Sequence, residues 1–184
     1  MLSKNTMQPI DRGTLTDIVH AATNDVFATM LEMQLAAQAP YVQSIPPPPT
    51  EGVVSLIGLA GQWQGTGSVF CSAPFACRLS SRMLLAEFNA VDDEVLDAIA
   101  ELTNMILGNV KTGLEEHLGP MGLSIPTVVY GKNFTAKSAG DGEWTVFPFS
   151  HEGELMEVKI HLAPSRRPPG QLRHGFSHPY SLQG

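Results

Sequence analysis

The sequence predicts an α+β fold: a mostly antiparallel sheet with two long helices packed on one of its faces. Three observations carry this expectation. Apolar side chains recur at helical spacing over two long stretches, about 14–37 and 92–118. Short runs rich in β-formers are separated by tight, Gly-containing turns, which suit hairpins and leave no room for crossover helices. The last run alternates cleanly, with Met156, Val158, Ile160 and Leu162 on one side and Glu157, Lys159 and His161 on the other.

Taken in order, residues 1–13 read as a flexible lead-in. Thr14 and Asp17 resemble a capping box, with Asp in place of Glu or Gln. The helix they open places Leu15, Ile18, Val19, Ala22, Val26, Phe27, Met30 and Met33 on its packing face. Residues 39–52 contain Pro40 and the run Pro46 to Pro49, expected to form a stiff extended connector. Val53 to Leu59 and Ser68 to Cys71 form a predicted hairpin, with Gly61, Gly65 and Gly67 around Trp63 in its turn. Pro74 suits the first turn of a short helix through about Leu85. The second long helix starts at Asp92, Asp93 and Glu94, where the macrodipole favours negative charge, and stops at Gly119-Pro120. Strands follow at Ile125–Tyr130, with Pro126 at its first residues, and at Trp144–Phe149, where Pro148 suggests an edge or bulge. Asn133 to Lys137 continues the first of these or starts another. Each long helix precedes a strand pair, a faint internal symmetry. Residues 164–184, with three arginines and no acid, read as a disordered basic tail. The expected organisation is therefore one domain over 14–163 between two flexible ends.

The 184 residues, 43% hydrophobic and 16% charged, suffice for one domain with a substantial core. A net charge of −7 argues against nucleic acid as the partner, since phosphate binding needs clustered Lys and Arg. Cys71 and Cys77 lack the spacing of a redox or zinc pair and are expected to be reduced thiols in a cytoplasmic protein. No secretory leader is evident, and no apolar run reaches the ~20 residues that span a bilayer. The glycines do not form a phosphate-binding loop, and no metal-ligand spacing, GxSxG or HExxH occurs.

One surface remains. When each residue of 92–118 is advanced by about 100°, apolar side chains cover most of the circumference. Asp97, Glu101, Asn104, Gly108 and Glu115 fall on one narrow stripe flanked by Lys111 and Thr112. Glu101 and Asn104, three apart, project side by side. A carboxamide both donates and accepts hydrogen bonds and can orient a water, while a carboxylate can pair with a lysine. Neither is an activated nucleophile. The stripe is either a solvated helix face or half of a site completed by another molecule. Hydrolysis of a phosphoryl group held on a metal-loaded partner suits such a half-site, because alignment and electrostatics dominate that reaction.

The pattern Asp97-xxx-Glu101-xx-Asn104, with Gly108-Asn109 and then Ser124-Ile125-Pro126-Thr127-Val128, resembles the CheX/CheC/FliY phosphatases of bacterial chemotaxis. The resemblance covers about residues 14–163, including the Gly-rich hairpin, and the single ExxN is similar to CheX. In the first helix Asn24 follows Ala21, so a second Glu-Asn pair is missing. The resemblance implies a CheC/CheX-like fold and a phosphatase acting on the aspartyl phosphate of a CheY-like response regulator. Asn104 would align the attacking water and Glu101 would pair with the regulator's active-site lysine. Asp97, Gly108 and Lys111 would support the site or touch the partner. The chain would need no cofactor or metal of its own, Mg²⁺ belonging to the regulator, and would form a homodimer. A non-catalytic module that binds a regulator or signalling complex on the same fold is the alternative expectation.

Overall fold

A computed structural model describes residues 10–43, 50–134 and 143–165. The expected lead-in before residue 10, the proline run and the basic tail after residue 165 lie outside the described residues.

The first helix, α1, spans Arg12–Met30, earlier at both ends than the periodicity suggests. Its cap is Asp11, whose carboxylate accepts the Thr14 N–H at 3.0 Å; Thr14 and Asp17 already lie inside the helix. After α1 come two short strands, β1 (Ala36–Ala37) and β2 (Tyr41–Gln43), in a stretch the sequence assigns to helix end and connector. Next come β3 (Thr50–Gly61) and β4 (Trp63–Cys71). Then α2 (Ala73–Leu84) is capped by the Ser72 hydroxyl, which accepts the Phe75 N–H. The long helix α3 runs Asp93–Leu118 from an Asp92 cap, as its pattern predicts. Strands β5 (Met121–Leu123), β6 (Thr127–Phe134), β7 (Trp144–His151) and β8 (Glu154–Pro164) complete the described chain.

All pairings are antiparallel, in the order β1-β7-β8-β4-β3-β5. Strand β2 also pairs with β7, and β6 with β3. Each sheet edge is thus one interrupted strand. At one edge, Gln38–Pro40 separates β1 from β2. Pro148 sits opposite this gap; its carbonyl accepts the Gln38 N–H, and its missing N–H faces the same break, so the ladder loses little. At the other edge, Ser124–Pro126 separates β5 from β6. Here the Ser124 hydroxyl replaces a strand carbonyl and accepts the Gly58 N–H at 2.9 Å. Pro126 thus precedes its strand rather than opening it.

The internal symmetry is stronger than the sequence suggests. Helix α1 precedes an edge strand and the β3–β4 hairpin; α3 precedes an edge strand and the β7–β8 hairpin. Each edge strand joins the other unit's hairpin, and β4 and β8 meet in the middle.

The core lies between the helices and one sheet face. Val19, Val26 and Phe27 of α1 and Ile99, Leu102, Ile106, Val110 and Leu114 of α3 meet Val53, Ile57, Phe147, Phe149, Val158 and Ile160. Gly65 and Gly67 are strand residues in β4, not part of a turn. A Cβ on Gly67 would lie 2.6 Å from Leu107 Cδ1, so this glycine lets α3 sit close on the sheet. A Cβ on Gly65 would collide with the His161 carbonyl oxygen of β8.

Candidate functional site

Helix α3 has one dry side and one wet side. Val95, Ile99, Leu102, Ile106, Leu107, Val110, Leu114 and Leu118 are fully buried. Asp97, Glu101 and Asn104 are exposed and Gly108 is half-exposed. Glu101 and Asn104 stand about 4.5 Å apart along the helix axis and about 60° around it, as i and i+3 residues do. No hydrogen bond or ion pair within the described residues occupies either side chain. Burial of the opposite face fixes the helix that carries them, so the pair is held on a rigid element with its polar atoms free.

The remaining stripe residues divide into two groups. Lys111 and Glu115 are half-buried and paired at 2.9 Å. Glu115 also accepts the Met121 N–H at 2.9 Å, tying the last turns of α3 to β5. That amide and the Lys111 ammonium hold its carboxyl below the usual carboxylate range. Lys111 therefore braces the C-terminal end of the stripe. Gly108 is different: a Cβ there would meet nothing within 4 Å. The space beside Glu101 and Asn104 that Gly108 leaves is open to an incoming molecule.

Other candidate chemistry is placed elsewhere. Cys71 is fully buried in β4, and burial pushes its thiol up to about 12; Cys77 is also buried and shifted upward. Asp92 caps α3 through the Val95 N–H at 2.9 Å. His20 packs edge-on against Phe147 and Phe149. His151 stacks on Phe75, with Nδ1 2.8 Å from the Gln34 carbonyl. Among the described residues, no group of three or more His, Cys, Asp or Glu side chains could hold a metal ion, and no helix is long and apolar enough to cross a membrane.

A feature the sequence reading missed lies beside the stripe. A cleft of about 580 Å³ opens between α1 and α3, lined by Ile18, Ala21, Ala22, Asp25, Asn109, Thr112 and Gly113. The small residues Ala21, Ala22 and Gly113 are its sequence signal, and helical periodicity alone assigns the alanines to packing.

Comparison with known proteins agrees with this architecture. The model of the family described as chemotaxis phosphatase CheX matches residues 53–150. CheY-P phosphatase CheX of Thermotoga maritima is 37% identical over 90 residues, 48% of this chain and 57% of that protein. The chain thus matches little more than half the length of that relative. A CheC-like superfamily protein from Shewanella sp. PV-4 superposes with a TM-score of 0.75 at 26% identity, covering 84% of this chain and 99% of that one. The CheX–CheY–BeF₃–Mg²⁺ complex from Borrelia burgdorferi gives a TM-score of 0.71 at 26% identity, covering 84% and 99%.

Proposed function

The chain belongs to the CheX family of chemotaxis phosphatases, and on that premise we propose that it hydrolyses the aspartyl phosphate of a CheY-like response regulator. The observation that carries this reading is the exposed Glu101–Asn104 pair, without a partner among the described residues, on a helix whose other side is fully buried. It is supported by the name of the Thermotoga maritima relative and by the regulator bound in the Borrelia burgdorferi complex.

In this mechanism the pair enters the regulator's active site. The Asn104 carboxamide oxygen accepts a hydrogen bond from a water, and its NH₂ can donate to a phosphoryl oxygen; together they align the water in line with the P–O bond to the aspartate. Water attacks phosphorus, that bond breaks, and the products are inorganic phosphate and a free carboxylate. Glu101 pairs with the regulator's active-site lysine and fixes the docking register. Mg²⁺ on the regulator offsets the phosphoryl charge. Asp97 extends the negative stripe, and Gly108 gives the partner's backbone room. The protein works in the cytoplasm as a homodimer.

The test is phosphate release from phosphorylated CheY-type regulators of the native host. Asn104→Ala should lower the rate by about 10²-fold while binding of the beryllofluoride-loaded regulator persists. Glu101→Ala should weaken that binding as well. Unchanged release in both variants would remove the roles assigned here. Tight binding by the wild-type chain with no change in phosphoryl lifetime would mean a non-catalytic adaptor.

A further inference from the structure

We infer that the cleft between α1 and α3 is a second, specificity-determining contact for the response regulator, built to receive a lysine or arginine side chain of that partner. This rests on the phosphatase reading and adds where, apart from the Glu101–Asn104 pair, the partner is recognised.

The cleft exists because of particular residues. At one end the two helices are close: a Cβ on Gly113 would lie 2.8 Å from Ile18 Cγ2. One turn further along α1, Ala21 and Ala22 are too short to fill the groove that the helices leave. Ala21 precedes Asn24 by three residues, the spacing that separates Glu101 from Asn104. Where α3 carries a carboxylate, α1 carries a methyl group, and the volume that is lost from the side chain becomes space.

The chemistry of the walls selects the occupant. Ile18 and the two alanines offer an apolar floor for a long aliphatic stem. Asp25 and Asn109, both exposed, supply a carboxylate and a carboxamide at the rim for its cationic head. Among the described residues no cation pairs with Asp25. The lysine and arginine ion pairs join Arg78 with Glu152 and Glu154, Lys111 with Glu115, Lys132 with Glu51, and Lys159 with Glu157. Lys111, the cation of the neighbouring stripe, is already engaged. The outer surfaces of the two helices carry exposed Asp17, Asp97, Glu101 and Glu116, against one exposed arginine, Arg12, at the start of α1. A basic side chain is complementary to this surface, and a second copy of this chain, itself at −7, is a poor match.

Position ties the cleft to the site. Thr112, on the cleft wall, is eleven residues beyond Glu101, about 16 Å along the axis and only about 20° around it. Thr112 lies one turn past Gly108 and donates its hydroxyl to the Gly108 carbonyl at 3.1 Å. A protein seated on Glu101 and Asn104 with an ordinary footprint of about 800 Å² has the reach to extend to the Thr112 wall of the cleft.

The experiment titrates the full-length chain with beryllofluoride- and Mg²⁺-loaded CheY-type regulators of the native host by calorimetry at two salt concentrations. The variants are Ala21→Leu, which fills the cleft, and Asp25→Lys, which reverses its rim charge; both positions are exposed, and circular dichroism checks the fold. Each should weaken binding by about tenfold, with Asp25→Lys also reducing the salt dependence. A regulator Lys→Glu or Arg→Glu variant should restore binding to Asp25→Lys. If both variants bind within about twofold of wild type while Glu101→Ala does not, the cleft inference falls and the phosphatase reading stands. If the wild-type chain neither binds these regulators nor releases phosphate from them, both fall. If Ala21→Leu instead changes the sedimenting mass without changing regulator affinity, the cleft belongs to self-association and the inference is overturned.

Discussion

A glycine inside a helix costs about 1 kcal/mol relative to alanine, and α3 carries two of them. Gly113 has a structural reason: α1 leaves no room for a Cβ there, with Ile18 Cγ2 only 2.8 Å from its ideal position. Gly108 has none within its own chain, because a Cβ would meet open space. The same substitution should therefore act in opposite directions. Gly113→Ala should destabilise by about 1–2 kcal/mol through overpacking. Gly108→Ala should stabilise by about 0.5–1 kcal/mol. If the partner's backbone approaches at Gly108, that more stable variant should also lose about tenfold in phosphate-release rate. Urea unfolding of both variants, with phosphate release for Gly108→Ala, checks this. The exposed stripe that carries the candidate site was legible in the sequence for a simple reason. Glu101 and Asn104 are polar residues on a helix otherwise apolar around most of its surface, and one-dimensional periodicity reports that directly. The cleft lined by Asp25 and Asn109 was not, because it lies between two helices whose relative placement no single-chain pattern encodes.

At the scale of elements, β4 is approached closely on two sides, by α3 and by β8. Two glycines in β4 admit neighbours of different kinds. Gly67 faces the flexible end of Leu107, whereas Gly65 faces the backbone carbonyl of His161. A side chain can rotate away and a strand carbonyl cannot without breaking the ladder. Gly65→Ala should accordingly cost more than Gly67→Ala, with the milder change in the range of about 1–3 kcal/mol. The comparison of urea midpoints measures it. Glycine near an aromatic in a β-rich stretch reads from sequence as a turn, and here that reading was incorrect: these glycines mark close approach. The short edge strands were likewise hidden. Two or three residues give no alternation to detect, and β1 and β2 exist because β7 supplies a free edge to them. By contrast α3 was read correctly to within a residue, since Asp92 and Gly119 mark its ends with side-chain and backbone caps.

At the scale of the molecule, the class was legible because hairpins and two amphipathic helices leave few ways to bury one shared face. The strand order was not, because each edge strand pairs outside its own unit. This arrangement sets a stability gradient. Amides in β3, β4, β8 and the paired part of β7 should exchange most slowly, through global unfolding. Those beside the two edge interruptions, Gln38–Pro40 and Ser124–Pro126, should exchange first. Hydrogen exchange followed by mass spectrometry tests the order, and fast exchange in β4 or β8 would contradict it.

The crossed pairing of the two units also has a consequence on the ribosome. Strands β1 and β2 leave the exit tunnel early, but β7, their one sheet neighbour among the described residues, is made only after α3 and β6. The same delay holds for the contact between Gln34 and His151, 117 residues apart. The growing chain can pack α1 on α3 before then, but the part of α1 that meets β7, at His20 against Phe147 and Phe149, stays uncovered until β7 is made. The polar outer surface of that helix, with its acidic residues, helps such a nascent chain remain dispersed while it waits.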